Sequence, residues 1–126
     1  MTELRVQQDC SPRFTQVVQS NMGWDANTPL GTGSWYGLYL ISIFHMSSTV
    51  DLLCRAEWFD DVKGTRTGVD TNYSEVTLGL NWHPIKCFEL RPEIRGDFAG
   101  APAFGTGGAH VERSQLTGGV SALIKF

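Results

Sequence analysis

The chain has 126 residues, a formal net charge of −3, 14 glycines and 11% aromatic residues. That fits one ordinary domain, and the charge balance gives no electrostatic footprint for nucleic acid. No apolar run approaches the length of a transmembrane helix, which leaves transmembrane strands open, since each carries a signal of only about ten alternating residues.

In chain order, Met1–Gln8 has no basic stretch followed by an apolar core, so no signal peptide is read there. Thr2–Gln8 is a candidate strand, with Leu4 and Val6 on one face and Glu3, Arg5 and Gln7 on the other. Asp9–Pro12 has turn composition. Phe14–Trp24 is a strand with poor alternation, because Val17 and Val18 are adjacent. Asp25–Gly33, rich in turn formers, is expected to be a loop. Ser34–His45 is a long apolar and aromatic strand, apolar on both faces, and Met46–Ser48 is a tight turn. Thr49–Phe59 carries Val50, Leu52, Cys54, Ala56 and Trp58 on one face, against Asp51, Leu53, Arg55, Glu57 and Phe59.

Asp60–Tyr73 is expected to be a long polar loop, followed by the clearest part of the chain. Val76, Leu78, Leu80 and Trp82 alternate with Glu75, Thr77, Gly79, Asn81 and His83. After the turn Pro84–Cys87, Phe88–Phe98 places Phe88, Leu90, Pro92, Ile94, Gly96 and Phe98 on one face and Glu89, Arg91, Glu93, Arg95 and Asp97 on the other. A strict period of two is the mark of a β-strand, and a helix would scatter those charges around its circumference. Ala99–Ser114 is a second long loop, and Gln115–Phe126 is the last strand, with Leu116, Gly118, Val120, Ala122, Ile124 and Phe126 on one face. The expected fold is therefore all-β, an antiparallel up-and-down meander of six to seven strands. Its long loops (Asp25–Gly33, Asp60–Tyr73, Ala99–Ser114) fall at one end and its short turns at the other. That is the asymmetry of outer-membrane barrels.

The charged alternate positions Arg55, Glu57, Glu75, Glu89, Arg91, Glu93, Arg95 and Asp97 fit two settings on pattern alone. One is the water-facing lumen of a transmembrane barrel, where lipid-facing positions cannot cheaply carry charge. The other is the solvated face of a soluble antiparallel sheet, as in a small-ligand-binding barrel of the lipocalin type with its apolar face inward. Glu89 with Glu93, or Glu57 with Glu75, is not read as a paired-carboxylate acid/base site, because interleaved arginines favour the ionised carboxylate. His45, His83 and His110 show no ligand spacing, and Gly105–Gly108 lacks the Lys-Ser/Thr of a phosphate loop. Cys10, Cys54 and Cys87 are odd in number and have no CxxC spacing. No metal, cofactor or catalytic constellation is read. Trp35, Trp58, Trp82 and Phe98 fall near strand ends, as interfacial aromatics do. Pro92 within a strand costs a ladder hydrogen bond.

The terminal Phe126 after alternating apolar residues resembles the C-terminal signal of bacterial outer-membrane proteins. Arg55-Ala-Glu-Trp-Phe-Asp60, Gly64-Thr-Arg66, Glu75-Val-Thr-Leu-Gly-Leu-Asn81 and Leu90-Arg-Pro-Glu-Ile-Arg95, with Gln19-Ser-Asn-Met-Gly-Trp24 and Trp35-Tyr-Gly37 upstream, together resemble the bbp2, OmpL-like family of β-barrel outer-membrane porins. The likeness is to the C-terminal part of a longer member, with residues 1–126 forming the end of the barrel domain. It departs in the three cysteines and in the two-sided apolarity of Ser34–His45. The resemblance implies a porin-like passive channel for small solutes in the bacterial outer membrane, with no enzymatic role. Its partners would be outer-membrane lipid, the barrel-assembly machinery acting on the C-terminal strand, and further copies of the chain. The eight charged residues would line the pore, and the four aromatics would mark the membrane interfaces.

Overall fold

The computed structural model describes residues 1–29, 31–105 and 111–126, and His110 and the Thr106–Gly108 part of the glycine cluster fall outside them. Among the described residues nine strands form: β1 (Thr2–Ser11), β2 (Phe14–Thr28), β3 (Gly31–His45), β4 (Val50–Val62), β5 (Thr71–Ile85), β6 (Phe88–Ala99), β7 (Phe104–Gly105), β8 (Val111–Glu112) and β9 (Ser114–Ile124). Seven make one sheet in the order β1-β2-β3-β4-β5-β6-β9, each antiparallel to its neighbour, and β7 and β8 pair as a small separate hairpin. The antiparallel meander read from the alternation is the fold. The sheet is open, since β1 and β9 form its two edges.

The strands run further than local composition suggested. Asp25–Gly33 is not a long loop. Asp25 pairs with Gly33 and Thr28 with Gly31, a register shift between them absorbs one residue, and Gly31 at a φ of 87° supplies the left-handed backbone. Ladder hydrogen bonds to a long partner strand outweigh the turn preference of Asp and Asn there. Likewise Asp60–Tyr73 contracts to residues 63–70, because Asp60, Asp61, Thr71 and Asn72 pair across β4 and β5. Ala99–Ser114 holds the β7–β8 hairpin.

Pro92 leaves a readable mark. Pairing of β5 with β6 lapses between Gly79↔Glu93 and Trp82↔Leu90, then resumes in the same register, while Pro92 still pairs with Val120 of β9. The missing N–H therefore faces β5, where it interrupts one rung of the ladder.

Among the described residues the only buried hydrophobic side chains are Val17 and Trp35. Leu38, Leu40, Val76, Leu78, Leu80 and Ile94, all on one face, are exposed. The buried positions Thr15, Val17, Trp35, Asp61, Glu75 and Thr77 all belong to the opposite, polar face. The polar face is concave and the apolar face convex, and residues 63–70 add cover to the concave face at its loop end.

Candidate functional site

Cross-strand register assembles the charges on the concave face. Glu57 lies opposite Glu75, which lies opposite Asp97, and in the next row of that face Arg55 lies opposite Thr77, which lies opposite Arg95. Like charges directly opposite one another destabilise a sheet, so the two arginines are needed between the three carboxylates. Arg55 donates from Nε to Glu75 Oε1 at 3.1 Å and from Nη2 to the same oxygen. Arg95 Nη2 lies 3.2 Å from Glu75 Oε2, and its Nε and Nη2 also donate to Asp97 Oδ1 at 2.9 and 2.7 Å. Thr77 donates its hydroxyl to Glu75 Oε1 at 2.6 Å. Glu75 is 6% exposed and is held by two guanidiniums, so its charge is fully engaged. That occupation argues against the carboxylate pairs as an acid/base device.

The remaining expected residues of this face are placed apart. Arg91 Nε donates to Glu89 Oε1 at 2.9 Å, toward the short-turn end. Glu93 sits opposite Gly79 on one side and Gly119 on the other. It has no hydrogen-bond or ion partner among the described residues.

Two further clusters were not read from the sequence. At the short-turn end, His45 Nδ1 lies 2.7 Å from Asp51 Oδ1, and His83 Nε2 lies 3.4 Å from Asp51 Oδ2. Thr15 extends the chain, with its hydroxyl 3.3 Å from His45 Nε2 and donating to Asp9 at 2.7 Å. These groups come from five different strands, so only strand register, with His45 opposite Asp51, could have paired them. Among the described residues no group of three or more His, Cys, Asp or Glu is arranged to hold a metal ion.

The second cluster folds residues 63–70 over the concave face. Asp61, 0% exposed, accepts backbone N–H bonds from Arg66 at 3.0 Å and Thr67 at 2.6 Å, and the Thr67 hydroxyl at 2.7 Å. Lys63 and Gly64, both at φ near 60°, and Gly68 at 83° make the reversal. The Arg66 guanidinium lies 4.9 Å from the ring centroid of Trp35, within cation–π range. A Cβ added to Gly23 would overlap the Trp35 ring. Trp35 therefore packs against the concave side of the sheet and stands apart from the convex aromatic rows. It pairs with Asp61 and Gly23 on the concave face, 9% exposed, and the sequence position near a strand end did not distinguish the two faces.

Trp58, Trp82 and Phe98 do lie on the convex face, all exposed. They belong to two rows. Trp24, Tyr36, Trp58 and Phe98 lie toward the loop end, and Phe14, Phe44, Trp82 and Phe88 toward the short turns. Phe14 and Phe44 stack at 4.8 Å between ring centroids, and Trp82 meets Phe88 edge to face at 6.4 Å. Trp24 and Tyr36 of the first row were missed, since poor alternation hid the face of β2 and β3 is apolar on both faces.

An antiparallel meander with an aliphatic, aromatic-bordered convex face and a charged concave one defines the wall of a porin-type β-barrel. The family model described as "Putative beta-barrel porin-2, OmpL-like (bbp2)" matches residues 1–126, and the chain belongs to that family. No curated protein and no solved structure matches the chain.

Proposed function

We propose that this chain forms part of the wall of a porin-like passive channel in the bacterial outer membrane, its concave charged face wet and its convex face in lipid. The carrying observation is the slant of the two aromatic rows. Following cross-strand pairs back from Phe98 through Ser74, Trp58 and Leu38 reaches Ser20, four residues from Trp24 on β2. Following pairs from Phe14 through Phe44 and Leu52 reaches Leu80, two residues short of Trp82, and Phe88 lies two residues beyond Leu90, the partner of Trp82. Both rows thus drift toward the short turns by four residues over the four steps from β2 to β6. At about 3.4 Å per residue and about 4.8 Å between strands, that is roughly 14 Å in 19 Å, a strand tilt of about 36°. Transmembrane barrels tilt by about 35–45°.

The band height agrees. Ser74, beside Trp58 and Phe98, is eight residues from Trp82, about 27 Å along the strand and about 22 Å after tilt. Barrels carry an apolar band of about 25 Å. A soluble lipocalin-type barrel would need these apolar rows around an interior, and they lie on the convex side.

The arginines and carboxylates of the concave face would give the wall a transverse field that sorts solutes by charge and size. Outer-membrane lipid is the partner of the convex rows, and the barrel-assembly machinery is the partner of the terminal strand at Phe126. The test places single cysteines, Leu78→Cys or Asn81→Cys, in a background with Cys10, Cys54 and Cys87 changed to serine. After folding into vesicles, a label at 78 should be quenched by a lipid-soluble quencher and one at 81 by an aqueous quencher. Equal quenching at both positions would overturn the assignment of faces.

A further inference from the structure

We propose that the concave face carries a binding groove for small solutes with an apolar body and one ammonium group, centred on Glu93. This rests on the reading of that face as the wet lumen. The face is not uniformly polar. Register sets Val17 opposite Ile41 and Ile43 opposite Leu53, and all four lie among the charged positions. Val17 is 3% exposed. Val17 is shielded, but Ile41, Ile43 and Leu53 are only half-buried, and keeping them wet opposes the hydrophobic effect.

The next positions along the row explain its use. Leu53 pairs with Gly79, Gly79 with Glu93, and Glu93 with Gly119. Glycine on both sides of Glu93 removes the side chains that would stand beside its carboxylate. The result is a concavity of about 550 Å³, whose lining includes Ile41, Leu53, Gly79, Glu93 and Gly119 together with Arg55 and Arg91. That volume suits a small organic solute, since ligand clefts run from about 300 to 1,000 Å³.

Charge accounting sets the sign. Arg55 is engaged by Glu75 and Arg91 by Glu89. Glu93 is the groove's uncompensated charge, a carboxylate without a partner among the described residues. A cationic head would meet that carboxylate while its apolar body covers Leu53 and Ile41. An anionic head would meet two guanidiniums that each already hold a carboxylate.

The test uses the full 126-residue chain refolded in phosphatidylcholine vesicles, with empty vesicles as the blank. Binding of phenethylammonium, phenethyl alcohol and 3-phenylpropionate is measured by saturation-transfer NMR. The ammonium should bind best, and Glu93→Gln should weaken it by about tenfold or more, the scale of one charge-assisted hydrogen bond. Glu93→Asp should retain most of the preference, and Gly79→Leu, filling the floor, should weaken all three probes. Glu3→Gln, a carboxylate of the same face outside the groove, should change nothing. Equal affinity for ammonium and carboxylate probes, or equal weakening by Glu3→Gln and Glu93→Gln, would overturn the proposal. If Glu93→Gln does not fold, the wild-type preference among the probes decides. Ammonium preference with equal quenching at 78 and 81 would refute the lumen assignment and keep the groove, and face-selective quenching without ammonium preference would do the reverse.

Discussion

Leu78 offers the sharpest perturbation of the membrane assignment. It lies on the convex face, 49% exposed, opposite Cys54 and Ile94. It is four residues from Ser74, at the level of Trp58 and Phe98, and four from Trp82. That places it at the middle of the apolar band, about 11 Å of height from either aromatic row. An arginine at the bilayer midplane of a barrel costs about 2–4 kcal/mol, falling to about 0–1 near the interfaces. Leu78→Arg should therefore lose about 2–4 kcal/mol, and Leu80→Arg, two residues nearer Trp82, should lose less. Asn81→Arg is the control. It points into the concave face opposite Asp51, so its cost should be close to nothing. Thr77 would be a poor control, because it is buried, donates to Glu75 and stands in register between Arg55 and Arg95. Urea titration of each variant folded into lipid vesicles gives the losses. A Leu78→Arg cost no larger than that of Asn81→Arg, or one smaller than that of Leu80→Arg, would refute the placement of the band.

Three other outcomes follow from the structure. Arg95→Gln leaves Asp97 without its partner and should shift the reversal potential in a salt gradient toward cation selectivity; an unchanged potential would remove Arg95 from the permeation path. Asp61→Ala frees the N–H groups of Arg66 and Thr67 and should expose residues 63–70, so trypsin should cut after Lys63 and Arg66 at least about tenfold faster, given about 1.5–3 kcal/mol for each charge-assisted bond lost. Equal cleavage of variant and parent would show that the carboxylate does not anchor the loop. In plain buffer the chain should aggregate or remain unfolded, because its apolar residues lie on an exposed convex face and both edge strands are exposed throughout; a monodisperse, cooperatively melting monomer by size exclusion and circular dichroism would contradict the lipid-facing assignment.

How much of this was legible in the sequence depended on strand pairing. Where one strand alternates strictly, as in Phe88–Phe98, both the element and its two faces follow from period two. Phe14–Trp24 shows the limit. Val17 and Val18 point to opposite faces, one toward an apolar patch on the concave face and the other into the convex band. An apolar patch on the polar face blurs the alternation at the place where it carries meaning. Trp35 shows a second limit, since a large aromatic near a strand end fits either an outward row or a packing role against Gly23, and the structure places it against Gly23. The Arg55–Glu75–Arg95 network joins residues 20 positions apart, and the His45–Asp51–His83 cluster residues 6 and 32 apart. Composition names their members, but only register makes them neighbours. The loops were overestimated because Asp, Asn and Thr read as turn formers locally, whereas a paired strand that rises beyond the apolar band can be polar on both faces.

The sheet also constrains how a channel could be completed. Its seven strands alternate in direction, so β1 and β9 point the same way. Closing β9 on β1 would create a parallel seam, and so would a ring of copies in which β9 of each meets β1 of the next. An all-antiparallel barrel therefore needs an odd number of further strands between those edges. Width points the same way. At a tilt of about 36°, a barrel of about eight strands has an interior that side chains fill, and aqueous channels belong to barrels of about 16–18. Arginines and glutamates as long as those on the concave face would meet across so narrow a lumen. A water-filled path along Arg91, Glu93 and Arg95 thus requires substantially more wall than these seven strands supply. An open edge left in lipid would cost several kcal/mol per unpaired backbone group, so strand addition at β1 and β9 both widens the pore and removes the largest remaining penalty.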